Sequence, residues 1–150
     1  AEVTHAHAEG IAGGVGVAVA AAAAAAGRLD GQRPGLLATV AARTPAGRVR
    51  DALLAGQRIE RVAEAAAELG TGARAMARDT VPFAVWVADR FLHDYPAAIA
   101  ACLDAGGDVD TTCAIAGGIV AAYTGPVGIP PAWLRAREPL PAWLAAATAD

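Results

Sequence analysis

Apolar residues along this chain recur at helical spacing, and no stretch shows the alternation of β-branched and polar residues that marks a half-buried strand. The run Gly10 to Ala26 is uncharged and apolar on every side, which predicts a helix buried in the middle of a larger body. Thr4-His5-Ala6-His7-Ala8-Glu9 reads as its start, with Thr4 able to cap and Glu9 favoured by the helix dipole, and Gly27 reads as its end. Two short amphipathic helices follow: Gly35 to Arg43, stopped by Thr44-Pro45, and Gly47 to Ala55, with Val49, Leu53 and Leu54 on one face. The clearest amphipathic segment is Arg58 to Leu69, where Ile59, Val62, Ala66 and Leu69 share a side; it closes at Gly70-Thr71-Gly72. The stretch from there to Arg78 has no clear period. Val81 to Leu92 carries Val85, Trp86, Ala88 and Phe91 at helical spacing, with Pro82 in a first turn. Pro96 to Leu103, Thr111 to Tyr123 and a short helix within Ile129 to Leu134 complete the series.

Composition sharpens this all-α expectation. Much of the apolar content is Ala and aromatics make up only 5%, so the helices must pack closely through small side chains. At 150 residues the chain is long enough for one domain with a core, and it shows neither an internal repeat nor a linker. The net charge of -3, with arginines interspersed among carboxylates, argues against a nucleic-acid footprint. Ile11 to Ala26 is too short and too rich in Ala and Gly to span a bilayer comfortably, and Glu2 and Glu9 stand where a signal peptide would be basic, so no membrane role is expected. Cys102 and Cys113 fit neither a redox pair nor a zinc cluster; buried thiols in a reducing cytoplasm account for them.

The chemistry is concentrated in Gly106-Gly107-Asp108-Val109-Asp110-Thr111-Thr112, just before the helix Thr111 to Tyr123. The glycine pair lets the backbone turn, and Asp110 or Thr111 is a natural N-cap. Carboxylates two residues apart repel, and a hard divalent cation resolves that conflict; with no Cys or His beside them, oxygen ligands point to magnesium, calcium or manganese rather than zinc. A calcium loop is excluded, because its Gly position holds Cys113 and its closing Glu position holds Ile119. The competing reading is a plain helix cap with a solvated neighbour. Against it, Gly117 and Gly118 weaken the following helix by roughly 1 kcal/mol each relative to Ala, which predicts a close approach to the backbone there.

The run Gly-Gly-Asp-Val-Asp-Thr-Thr-Cys-Ala-Ile-Ala-Gly-Gly-Ile, residues 106–119, resembles the C-terminal metal motif of the ADP-ribosylglycohydrolase family. Thr4-His5 followed by Gly10 and Gly13 resembles that family's Thr-His helix start. Gly70-Thr71-Gly72 running to Thr80-Val81-Pro82-Phe83-Ala84-Val85-Trp86 is similar to its glycine-rich turn and following helix. The resemblance implies an all-helical fold, a compact orthogonal multi-helix bundle, and two magnesium ions, with manganese possible. It implies Asp108, Asp110 and Thr111 as metal ligands, and His5, Gly70, Thr71 and Gly72 along the ADP-ribose pocket. It implies hydrolysis of the bond between ADP-ribose and an acceptor.

The family's Gly-Asp motif, catalytic Glu and Thr-Asp-Asp cluster have no counterpart in these 150 residues. The resemblance therefore implies the C-terminal half of a single domain, with no catalytic residue of its own and the rest supplied in cis or by a separate chain. Two other classes remain in view: a pseudoenzyme that binds ADP-ribose without cleaving it, and a subunit that complements a separate N-terminal chain.

Overall fold

The computed structural model describes residues 6–139 and residue 141, and among them it contains helices and no strand. In chain order these are α1 (Ala8–Asp30), α2 (Leu36–Arg43), α3 (Arg48–Gly56), α4 (Val62–Leu69), α5 (Ala77–Arg90), α6 (Tyr95–Ala105), α7 (Val109–Thr124), a 3-10 turn (Pro126–Gly128) and α8 (Pro131–Ala136). The all-α expectation holds.

The centre is α5. Every residue from Asp79 to Ala88 is buried, and α1, α2, α3, α4, α6 and α7 all pack against this helix. Its β-branched residues are modest helix formers, but burial on all sides outweighs propensity. Phe83 and Trp86 stack with ring centroids 6.5 Å apart, and the Trp86 indole N–H donates to the Ile59 carbonyl at 3.2 Å, so the one polar atom of the largest core residue is satisfied. The helix opens at Ala77 rather than Val81, which moves Pro82 from the expected first turn into the interior. A proline there removes one backbone hydrogen bond.

The long α1 departs from expectation in two ways. Only one face is buried, through Ala12, Gly13, Gly16, Ala20, Ala24 and Gly27, while Gly14, Ala18, Ala22 and Ala25 are exposed. Uniform apolarity suggested burial all round, but small side chains make every face apolar without requiring a partner. By length and composition α1 is sufficient to cross a bilayer, which corrects the judgement that the apolar run is too short; Ala20 and Ala24 are nonetheless fully buried within the bundle. Second, Gly27 does not end the helix. A Cβ there would lie 2.6 Å from the Gln32 carbonyl oxygen, so the glycine admits the returning chain, and Gly31 (φ 66) makes the stop.

Smaller corrections follow from tertiary contacts. In α3 the buried face is Val49, Leu53 and Gly56, and Leu54 is 44% exposed. The helix expected from Arg58 begins at Val62, because Arg58 and Ile59 form a turn whose amides donate to Ala55 and Gly56. His93 lies beyond the end of α5 and packs edge-on against Tyr123, with ring centroids 4.8 Å apart. Cys102 is buried, which pushes its thiol up to about 12, and Cys113 is half-buried.

Helices α2 and α3 each begin after a glycine and carry no cap of their own. Both are capped from another helix. Asp89 of α5 accepts the Leu36 N–H at 2.7 Å; Glu9 of α1 accepts the Arg48 and Val49 N–H groups at 2.8 and 2.9 Å. Gly47 (φ 155) is what lets Glu9 approach, since a Cβ there would lie 2.6 Å from its Oε1. These bonds fix the start of α1 against α3.

Two measurements test this packing. Phe83→Ala should lower the unfolding free energy by about 3–5 kcal/mol in urea titrations, the cost of a large core cavity. The Arg48 N–H holds the Glu9 carboxyl below the ordinary glutamate value. A carboxyl whose folded value lies below its unfolded value, about 4.3, stabilises fully above that value and loses its effect as pH falls through the folded one. Wild type should therefore be more stable than Glu9→Gln near neutral pH, and the gap should narrow as pH falls below the ordinary glutamate range.

Candidate active-site groove

Between α6 and α7 the chain reverses at Gly106 (φ 70) and Gly107 (φ 76), and Asp108 follows as the N-cap of α7. Its carboxylate accepts the Thr111 N–H at 3.4 Å, so the cap is Asp108 rather than Asp110 or Thr111, which both lie in the first turn. The Thr111 hydroxyl is within hydrogen-bonding reach of Asp108, and this holds the Asp108 carboxyl below the usual aspartate value, with Asp110 also beside it. A small cluster of oxygens results: two carboxylates and a hydroxyl at a helix N-terminus, where negative charge is favoured.

Asp108 and Thr111 open onto a groove of about 950 Å³ between α1, α7 and the start of α5. Gly10, Gly13, Gly14 and Val17 of α1 form one apolar wall, and Ile115 of α7 and Val81 of α5 contribute to the rest. The glycines of α1 are needed for closeness, since a Cβ on Gly13 would lie 2.8 Å from that of Ala77. At the open end stands His7, the N-cap of α1. Its Nδ1 accepts the Glu9 N–H at 3.1 Å, so a neutral imidazole carries its proton on Nε2 and presents a donor. Met76, Arg78 and Thr80 also line the groove.

The loop before α5 interlocks with the Asp108 turn. The Asp108 N–H donates to the Thr71 carbonyl at 3.0 Å; a Cβ on Gly72 (φ 82) would lie 2.8 Å from the Asp108 Cβ, and one on Gly107 would collide with Thr71. Ala75 holds φ 51, a left-handed conformation that costs a non-glycine residue roughly 1–2 kcal/mol. Behind the loop lies a second cavity of about 380 Å³, whose walls include Arg48, Arg74, Glu68 and Asp79.

Of the residues singled out from sequence, Asp108 and Thr111 line the groove, and Asp110 is exposed beside them. Gly70 and Thr71 line the second cavity, and Gly72 is buried against Asp108. His5 lies outside the described residues, as does Thr4. The close approach expected at Gly117 and Gly118 divides. A Cβ on Gly117 would lie 3.0 Å from the Tyr95 hydroxyl of α6, so helix packing explains that glycine, whereas Gly118 faces open space. The sequence reading leaves His7 and Glu9 as ordinary helix-start residues, counts Arg78 among arginines of a solvated surface first and a phosphate site second, and assigns Met76 no role. The one signal for Met76 was negative, an aperiodic segment between two helices.

The donor set was tested for a hard cation. Asp108, Asp110 and Thr111 are adjacent oxygen donors with no soft ligand among them, which fits magnesium or manganese chemistry. Among the described residues no group of three His, Cys, Asp or Glu gathers at one point, so these side chains could supply only a share of a coordination sphere.

The chain matches the ADP-ribosylglycohydrolase family over residues 1–150 and belongs to it. That family is one of glycohydrolases, hydrolases at the coarse level. No curated protein and no solved structure matches the chain.

The interlock at the Asp108 turn is testable. Gly72→Ala should destabilise the protein by roughly 1–3 kcal/mol, through the unfavourable φ and the contact with Asp108. Urea unfolding, compared with Gly118→Ala where a Cβ meets nothing within 4 Å, checks this.

Proposed function

We propose that this chain forms the cation-binding and substrate-lining part of a magnesium-dependent hydrolase that cleaves the bond between ADP-ribose and an acceptor. The observation that carries the reading is that Asp108 and Thr111, in a run that resembles the family's metal motif, open onto a groove large and apolar enough for a nucleotide sugar. Asp108, Asp110 and Thr111 would hold the cation, which when bound would orient ribose hydroxyls and lower the pKa of a water.

The rest follows from the chain's own groups. Val17, Val81 and Ile115 exclude water from one side of a bound ligand. The Nε2 donor of His7 reaches a ribose or phosphate oxygen, and Thr111 offers a hydroxyl to the same ligand. Positive charge developing on the sugar requires a nearby carboxylate, and the leaving group requires a proton donor. Asp108 and Asp110 are committed to the cation in this reading. We place the catalytic carboxylate on a further segment of the domain, in cis or on a separate chain, completing the open side of the groove.

The test is reconstitution. The chain, combined with a polypeptide carrying the remaining family motifs, should release ADP-ribose from an ADP-ribosylated arginine substrate in magnesium, and Asp110→Ala should cut that rate by about 10-fold or more. Magnesium-dependent ADP-ribose binding without turnover would instead identify a non-catalytic binding module. Unchanged cation affinity in Asp110→Ala would remove the ligand assignment.

A further inference from the structure

Asp79 is a carboxylate in the first turn of α5, only 8% exposed, that the reaction does not use. Burying a carboxylate is costly unless its oxygens are satisfied. Here Oδ2 accepts the Arg74 N–H at 2.8 Å, and the Asp79 backbone carbonyl accepts the Gly72 N–H at 2.8 Å. On its other side the carboxylate lies so close to Gly70 (φ 95) that any Cβ there would collide with it. One residue thereby gathers both ends of the loop from Gly70 to Arg74. Between those ends is Thr71, whose carbonyl accepts the Asp108 N–H at 3.0 Å and whose side chain leaves no room for a Cβ on Gly107. Gly72 presses on Asp108 from the same loop, where a Cβ would lie 2.8 Å from the Asp108 Cβ.

These contacts form one continuous path: Asp79, the folded loop, the Thr71 carbonyl, the Asp108 amide. We propose that Asp79 is a positioning residue for the oxygen cluster, acting through the loop to fix where the α7 N-terminus presents Asp108. The inference rests on the reading of Asp108 as a cation ligand. Physically, Asp79 is anchored on the most buried helix of the molecule, whereas Asp108 sits on a double-glycine turn with little stiffness of its own. The loop transfers the rigidity of the first to the second. The strained φ of Ala75 fits a loop conformation imposed by these contacts rather than chosen by its sequence.

The control is built into the same helix. Asp89 of α5 is also a partly buried carboxylate that accepts a backbone N–H, that of Leu36, but its partner leads to α2 and not to the groove. Amide hydrogen exchange of the full chain should show Asp108 exchanging about tenfold faster or more in Asp79→Ala, and unchanged in Asp89→Ala. Manganese affinity, read by the loss of the free-ion electron paramagnetic resonance signal, should fall about tenfold in Asp79→Ala and stay constant in Asp89→Ala. Asp79→Asn keeps an oxygen for the Arg74 N–H and should restore most of both. Gly70→Ala, whose Cβ would collide with the Asp79 carboxylate and also lie 2.5 Å from its backbone carbonyl oxygen, disturbs the same junction without altering charge; it should reproduce the Asp79→Ala result, and it decides the matter if Asp79→Ala does not fold.

An Asp108 amide equally protected in Asp79→Ala, or in Gly70→Ala, and in Asp89→Ala overturns the proposal. Asp108→Ala separates the two ideas. If that variant, or wild type itself, shows no manganese binding attributable to Asp108, the ligand reading falls, while the exchange data still judge the positioning role.

Discussion

The structure depends on one constraint: a helix that must be covered on every side. From Asp79 to Ala88 every residue of α5 is buried, and the other helices are arranged around it. A helix so enclosed needs neighbours that come close, and this chain supplies them with small residues. Gly13 of α1, Gly56 of α3 and Gly117 of α7 each lie where even a Cβ would press on a packed neighbour. The result is a core with few large side chains, in which Trp86 and Phe83 carry most of the bulk.

Close packing shifts the burden of helix initiation. Helices that start with glycine leave their first amides without a local partner. Here Glu9 and Asp89 supply the missing acceptors from distant positions in sequence, so that capping and tertiary contact are the same bond. The consequence reaches function. Glu9 fixes the start of α1 against α3, and with it His7 at the mouth of the groove; its own N–H fixes the His7 ring. The groove is therefore framed by bonds that also hold the bundle together.

The proposed function places two demands on such a scaffold: a fixed cluster of hard oxygen donors and a dry wall for a nucleotide sugar. The cluster is made by a turn so rich in glycine that it could not hold a position alone, and the neighbouring loop braces it. The wall is made by α1, whose exposed face is apolar yet nearly flat because its residues are small. An apolar helix that buries only one side leaves the other free to serve as a surface for a ligand or a further segment.

Much of this was legible in the residues. Helical spacing gave eight helices with ends mostly within a few positions, and the oxygen-rich motif at Asp108, Asp110 and Thr111 stood out because its chemistry is local. What the sequence by itself determined was what depends on neighbours in the chain: period, turn glycines and a cluster of like charges. It could not determine the meaning of Gly27, the interior place of Pro82, the exposure of Leu54 or the partners of Glu9. Nor could it show that Asp79 and Asp108 belong to one braced unit. Each of these is decided by what packs opposite, across separations of many residues, and a one-dimensional pattern records the size and polarity of a side chain but not the surface it will meet.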